Sequence, residues 1–187
     1  MGSLRVVLVE DHTLMRAGIR ALLQALPDVD VVGEADNGPD AIELVSTTRP
    51  DLILLDITLP AMNGLEVAER VAKEFAPTRT IILSMHTDAV YVRKALQAGA
   101  SGYIVKDAGV QELEAAIRAV MRDETYLSPG VKVHERTPTR AARIARAQNE
   151  AIGGADRRGL SPIPFAASGF LACIPITPVI DYARNHG

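Results

Sequence analysis

The chain has 187 residues, of which 48% are hydrophobic and 23% are charged, a composition typical of a globular protein with a substantial core. The net charge of −3 conceals an asymmetry, because residues 1–124 hold 12 Lys and Arg against 19 Asp and Glu, whereas residues 125–187 hold 8 against 4. We therefore expect the two parts to have different roles. The single cysteine, Cys173, excludes an intramolecular disulfide, and no Cys/His cluster has metal-site spacing, so the sequence predicts a cytosolic protein.

Over residues 1–124, short β-branched runs alternate with longer stretches of helical period, which is the pattern of βαβ units around a parallel sheet. The predicted strands cover residues 4–9, 29–35, 51–56, 79–84 and 102–106. A helix is predicted after each strand, and the segment DNGPD at 36–40 marks one helix start, with Pro39 in the first turn.

The first and last predicted helices, at about 12–25 and 110–122, each carry apolar residues at spacings of three and four, so one face of each can pack on a sheet. The third predicted strand is apolar on both faces, as expected for a strand covered by helices on both sides. These patterns predict a three-layer α/β domain over residues 1–124.

The composition changes after Glu124. We expect a linker at 125–135 and a tail at 136–187. The first part of the tail, residues 136–158, contains six arginines. The apolar stretch at 160–180 has nearly the length of a membrane span, but its four prolines disfavour a continuous helix, so we expect no membrane segment. Residues 139–152 favour one alanine-rich helix, and no spacing in the tail fits the core of a helix-turn-helix domain. The tail is therefore predicted to be irregular or partly helical.

Polar side chains stand at the ends of four predicted strands. Glu10 and Asp11 follow the first strand, Asp56 ends the third, Ser84 ends the fourth and Lys106 ends the fifth. Individually, Asp11 could cap a helix, Ser84 could hydrogen-bond to the backbone of a loop and Lys106 could be a solvated charge. Because the carboxyl ends of parallel strands meet at one edge of a sheet, their joint occurrence favours a site.

Such a cluster of acids requires a cation. Two carboxylates about 4 Å apart repel each other by roughly 4 kcal/mol at an effective dielectric constant near 20. Oxygen ligands without Cys or His favour a hard ion, Mg²⁺ first. With Lys106, that ion would neutralise the charge of a phosphoryl group, and Asp56 would be the nucleophile that forms an aspartyl phosphate.

Four segments resemble the motifs of bacterial response-regulator receiver domains, most closely those of the NarL/FixJ (LuxR-type) branch. They are VLVEDH, LILLDITLPAMNGLE, TIILSMHTD and ALQAGASGYIVKDA. The resemblance covers about residues 4–124. It implies a flavodoxin-like (βα)5 fold with a five-stranded parallel sheet in the order 2-1-3-4-5.

The resemblance also implies roles for the acidic residues. Asp56 would be phosphorylated by a histidine kinase. Asp11 and Asp56 would bind Mg²⁺, with Glu10 assisting and the backbone carbonyl of Thr58 as a third ligand.

Three further roles follow from the same resemblance. Ser84 would hydrogen-bond the phosphoryl group, Lys106 would pair with it, and Tyr103 would be the aromatic residue whose rotamer follows phosphorylation. The family often has a proline after this lysine, which forms a cis peptide, whereas Asp107 stands here and a cis bond would cost about 3–4 kcal/mol. Gly64 fits the loop after the phosphorylated aspartate, where glycine permits unusual backbone angles.

Two other classes fit less well. A haloacid-dehalogenase-type phosphatase also uses an aspartyl phosphate, but it needs a second aspartate as general acid where Thr58 stands, so we expect no turnover enzyme. A dinucleotide-binding or flavodoxin module would need a glycine-rich loop after the first strand, and residues 10–18 carry two acids instead.

The expected partners are a histidine kinase and, on phosphorylation, a second copy of the chain. The branch usually regulates transcription through a helix-turn-helix domain. The basic tail could contact DNA phosphates nonspecifically, but it shows no such domain. A truncated or stand-alone receiver that acts by protein contacts, and a tail out of frame with a former DNA-binding domain, therefore both stay open.

Overall fold

The computed structural model describes residues 2–131. The predictions for the basic segment at 136–158, the helix at 139–152 and the apolar stretch at 160–180 lie outside the described residues. Among residues 2–131, no helix has both the length and the apolar character needed to cross a bilayer.

The described chain alternates six strands with five helices. The strands are β1 (Leu4–Val9), β2 (Val29–Ala35), β3 (Leu52–Asp56), β4 (Arg79–Ser84), β5 (Gly102–Val105) and β6 (Tyr126–Leu127). The helices are α1 (Thr13–Gln24), α2 (Gly38–Thr48), α3 (Gly64–Glu74), α4 (Ala89–Gln97) and α5 (Val110–Met121). The five predicted strands and the two helices predicted at about 12–25 and 110–122 are all present, to within one residue at either end.

The sheet is parallel throughout and has the order β2-β1-β3-β4-β5-β6. The α/β class, the flavodoxin-like arrangement and the order of the first five strands are therefore confirmed. The predicted count of five strands is wrong, because Tyr126 and Leu127, inside the segment predicted as a linker, add a short sixth strand. This strand lacks the length and apolar pattern by which strands were recognised in the sequence, and its pairing partner Gly102–Tyr103 is remote in the chain.

The strand pleat divides the core into two layers. Successive side chains of a strand point to opposite faces, so Val7 belongs to the core cluster that includes residues of α2, α3 and α4, whereas Leu8 belongs to the cluster that includes residues of α1 and α5. β3 is buried along its whole length, which is why its sequence is apolar on both faces. The central strand is thus clamped between two helical layers and makes a rigid base for its last residue, Asp56.

Two helix starts are fixed by side chains. Asn37 accepts a hydrogen bond from the backbone N–H of Asp40 at 3.0 Å, so α2 begins at the predicted place. At α3, Asn63 accepts from Leu65 N at 2.8 Å, and its own N–H donates to Glu66 Oε2 at 3.1 Å. Such caps satisfy N–H groups that have no partner inside the helix, and the second one sets where the loop after Asp56 ends.

Candidate functional site

Four strands bring the predicted polar side chains to one edge of the sheet. Asp56 ends β3 and Ser84 ends β4, while Glu10 and Lys106 directly follow β1 and β5. The end of β1 is tied down by the Glu10 N–H, which donates to Ala35 O at 3.0 Å. The structure therefore groups residues that lie up to 96 positions apart in the sequence.

Lys106 is the centre of the site. Its Nζ lies 2.8 Å from Glu10 Oε2 and 2.9 Å from Asp56 Oδ2, and the three side chains are only 7%, 0% and 4% exposed. Burial lowers the pKa of Lys106, but the hydrogen bonds and charges of Glu10 and Asp56 raise it by more, so this pKa lies above its ordinary value. The ammonium group therefore stays charged at neutral pH.

Asp11 extends the acidic cluster, and His12 joins it. His12 Nδ1 lies 2.7 Å from Asp11 Oδ1 and 3.3 Å from Glu10 Oε1. Four residues each offer one potential ligand atom, and these atoms all lie within 4.8 Å of one another: Glu10, Asp11, His12 and Asp56. His12 was not among the site residues predicted from the sequence, although its place directly after two acids at a strand end was an available signal.

The arrangement fits a divalent cation. Glu10 Oε2, Asp11 Oδ1 and Asp56 Oδ2 are buried oxygens, and their short contacts among the described residues are to Lys106 Nζ and His12 Nδ1. Three carboxylates opposed by one ammonium leave a formal excess of two negative charges. Buried charge of this kind is costly unless it is compensated, and oxygen ligands suit Mg²⁺.

The loop after Asp56 is packed against its backbone. A Cβ atom added to Gly64 would lie 1.9 Å from the carbonyl oxygen of Asp56, and the Gly64 N–H donates to Ile57 O at 2.9 Å. Glycine was expected here for its backbone angles. That reason is wrong, because φ is positive at Ala61 and not at Gly64, so close approach is what excludes a side chain.

Two other predictions about loops have different outcomes. Thr58 is exposed at the start of the loop, and the role of its carbonyl stays a prediction. The peptide bonds of the described residues include no cis bond, so Lys106–Asp107 is trans.

Ser84 and Tyr103 meet at the backbone of His86. The hydroxyl of Ser84 accepts from His86 N at 3.1 Å, and the Tyr103 hydroxyl donates to His86 O at 2.8 Å. Tyr103 is fully buried, and burial raises its pKa above the ordinary value, against a smaller opposite effect of the Ser84 hydroxyl. The His86 ring stacks on Tyr91 with centroids 4.0 Å apart, so this loop, in which the sequence predicted no role for His86, connects β4, α4 and β5.

Comparison with known proteins places this site in a family. Residues 6–118 match the response regulator receiver domain. The response regulator UvrY of Escherichia coli K12 is 39% identical over 128 residues, which are 68% of this chain and 59% of UvrY. The chain thus spans about three-fifths of that relative's length.

Two further similarities reach beyond the receiver segment. The nitrate/nitrite response regulator NarL of Escherichia coli K12 is 37% identical over 157 residues, 84% of this chain and 69% of NarL. This alignment must extend past residue 124, where the resemblance noted in the sequence ends. A crystal structure of a LuxR-family two-component response regulator from Aurantimonas sp. SI85-9A1 is 32% identical, with a TM-score of 0.67, and the match covers 79% of this chain and 99% of that one. The chain therefore belongs to the response regulator receiver domain family, in its NarL/FixJ (LuxR-type) branch.

Proposed function

We propose that this chain is a two-component response regulator that accepts a phosphoryl group on Asp56 from a histidine kinase. The observation that carries the proposal is the buried contact of Lys106 Nζ with both Asp56 and Glu10, at 2.9 and 2.8 Å. It holds a permanent positive charge against a carboxylate at the end of a rigid strand. That combination suits a nucleophile whose product carries additional negative charge.

In the proposed reaction, a carboxylate oxygen of Asp56 attacks the phosphorus of the donor. An O–P bond forms as the bond from phosphorus to the donor breaks, and the donor nitrogen or oxygen leaves with the electron pair and takes up a proton. Glu10, Asp11 and Asp56, with the Thr58 carbonyl, would hold Mg²⁺, which neutralises phosphoryl charge when bound. Lys106 exchanges a carboxylate contact for a phosphoryl oxygen.

The same proposal assigns the switch to Ser84 and Tyr103. The Ser84 hydroxyl, which now accepts from His86 N, would turn to donate to the phosphoryl group. The His86 backbone then loses that partner while it still accepts from Tyr103. The β4–α4 loop would move, and this movement would alter the contacts of the receiver with a second copy or an output segment.

Regulation of transcription is the output we propose, because the similarity to NarL continues past the receiver. A receiver that acts only through protein contacts is the second candidate, favoured by the absence of a recognisable helix-turn-helix pattern in the tail sequence. Binding of the phosphorylated full chain to DNA at physiological salt separates the two. Weak, salt-sensitive binding without sequence preference supports the second candidate.

The acceptor is tested by intact-mass spectrometry after incubation with a small acyl phosphate donor and Mg²⁺. We expect one added phosphoryl group, its loss in Asp56→Asn, and strong reduction when the metal is chelated. Asp36→Asn is the matched control, since Asp36 follows β2 at the same sheet edge but is exposed, and it should leave labelling unchanged. Equal labelling of the Asp56→Asn variant would exclude Asp56 as the acceptor, and no labelling of the native chain would count against the whole proposal.

A further inference from the structure

Residues 126–131 form a segment that we call the strap, which runs along the outer edge of β5. The Tyr126 N–H donates to Ser101 O at 3.1 Å, and the Ser128 N–H donates to Tyr103 O at 2.9 Å. The strap follows α5 and lies beyond residues 6–118, which match the receiver family. It nevertheless pairs with the strand that carries Tyr103 and leads into Lys106.

The hydroxyl of Ser128 completes this pairing. It accepts the Val105 N–H at 2.9 Å and donates to Glu112 Oε1 on α5. β6 ends at Leu127, so no backbone carbonyl of a regular strand continues alongside Val105. The side chain takes its place, and Ser128 is accordingly only 4% exposed. Without the hydroxyl, the buried Val105 N–H would lack its acceptor.

Val105 immediately precedes Lys106, so the strap acts on the residue at the centre of the site. On the inner side of β5, the Lys106 N–H donates to Ser84 O at 2.9 Å. On the outer side, the bond from Val105 to Ser128 is the matching restraint. The end of β5 is thus held from both sides, and Lys106 Nζ meets two carboxylates at distances below 3 Å.

We propose that Ser128 is a positioning residue for Lys106, and that the strap is thereby coupled to the phosphoryl-acceptor site. A loosened strap lets the end of β5 shift, so Lys106 loses its fixed approach to Asp56. Because coupling between two sites is reciprocal, a change in the contacts of Lys106 on phosphorylation must also alter the strength of the Val105–Ser128 bond. Phosphorylation of Asp56 would then change the hydrogen bonding of the strap, which is the first segment after α5. This inference rests on the proposed function only where it is tested by the rate of phosphorylation.

The test compares Ser128→Ala with Ser101→Ala in the full chain. Ser101 is also 4% exposed, but its hydroxyl has no hydrogen-bond partner among the described residues, so the control removes the same atom without breaking a bond. We expect Ser128→Ala to slow phosphorylation by a small acyl phosphate at saturating Mg²⁺ by about tenfold, equivalent to ~1.4 kcal/mol. Ser101→Ala should match the native rate, and Ser128→Thr, which keeps the hydroxyl, should restore most of it.

A second readout does not depend on phosphoryl transfer. The chain has four lysines, and selective ¹⁵N labelling allows the Nζ signal of Lys106 to be followed by NMR, with Lys106→Arg for assignment. We expect this signal to move toward that of a solvated lysine in Ser128→Ala but not in Ser101→Ala, while both variants unfold cooperatively. If the signal and the rate of Ser128→Ala match the native chain, the inference is wrong even though Asp56 is phosphorylated. If the native chain takes up no phosphoryl group, the proposed function fails, and the NMR comparison alone supports or overturns the positioning role.

Discussion

Replacing Lys106 with methionine removes the cation that two buried carboxylates share. Glu10 and Asp56 are 0% and 4% exposed, and the potential ligand atoms of the acidic cluster lie within 4.8 Å of one another. At that separation, two unit charges repel by about 3.5 kcal/mol for an effective dielectric constant near 20. Removal of one partner from a buried ion pair typically costs about 3–5 kcal/mol, so the two estimates agree.

We therefore expect Lys106→Met to lower the free energy of unfolding by about 3–5 kcal/mol without Mg²⁺, which corresponds to a fall in Tm of roughly 10 °C or more. Millimolar Mg²⁺ should raise the Tm of this variant by more than that of the native chain, because the ion binds where the ammonium was lost. Urea unfolding and thermal unfolding, each with and without Mg²⁺, measure both quantities. Lys94→Met, on the exposed face of α4, is the control and should change stability by less than about 0.5 kcal/mol. A Lys106→Met variant as stable as this control would refute the idea that the lysine compensates buried negative charge.

Two further outcomes follow from the same region. Gly64→Ala should destabilise the fold by about 3 kcal/mol or more and abolish labelling of Asp56, because its Cβ would lie 1.9 Å from the carbonyl oxygen of Asp56. The control Gly18→Ala, whose Cβ meets nothing within 4 Å, should instead stabilise α1 by about 0.5–1 kcal/mol. Equal effects of the two substitutions on the free energy of unfolding in urea would contradict the packing argument. The pKa values of Tyr103 and Lys106 are raised from 10.0 and 10.5, so the folded state holds these protons more tightly and their contribution to stability is lost as the pH rises above about 10. The free energy of unfolding of Tyr103→Phe should decline less steeply than that of the native chain between neutral pH and pH 11. An identical decline would rule out the buried phenol as a source of this pH dependence.

The sequence was sufficient to predict the features that depend on the spacing of apolar residues or on which residues end the strands. Alternating runs predicted β1 to β5, and the rule that parallel strands end at one edge of the sheet predicted that Asp56 and Lys106 lie together. β6 was missed because two residues carry no periodic signal, and their role depends on a partner strand that the sequence does not reveal. Likewise, the contact of Gly64 with the Asp56 carbonyl is a matter of loop packing, which no local pattern encodes.

The contacts of the site were predictable only as a group. Three acids and a lysine at one edge implied mutual neutralisation, but not that Lys106 would bridge Glu10 and Asp56. His86 could not have been singled out from the sequence, because it contributes its backbone to Ser84 and Tyr103, and any residue except proline could do so. Its ring, stacked on Tyr91, depends on how the loop folds back onto α4.

The two edges of the sheet bear on how copies of this domain can associate. An uncovered strand offers unpaired N–H and C=O groups to another chain, and proteins limit this risk with charges, prolines or very short edge strands. At one edge, β2 carries Asp30 and Glu34; at the other, β6 has two residues and is followed by Pro129. Strand-to-strand joining and the aggregation that it starts are therefore disfavoured at both edges of the described sheet, which leaves helical faces and loops as the surfaces through which copies of this domain can pair reversibly.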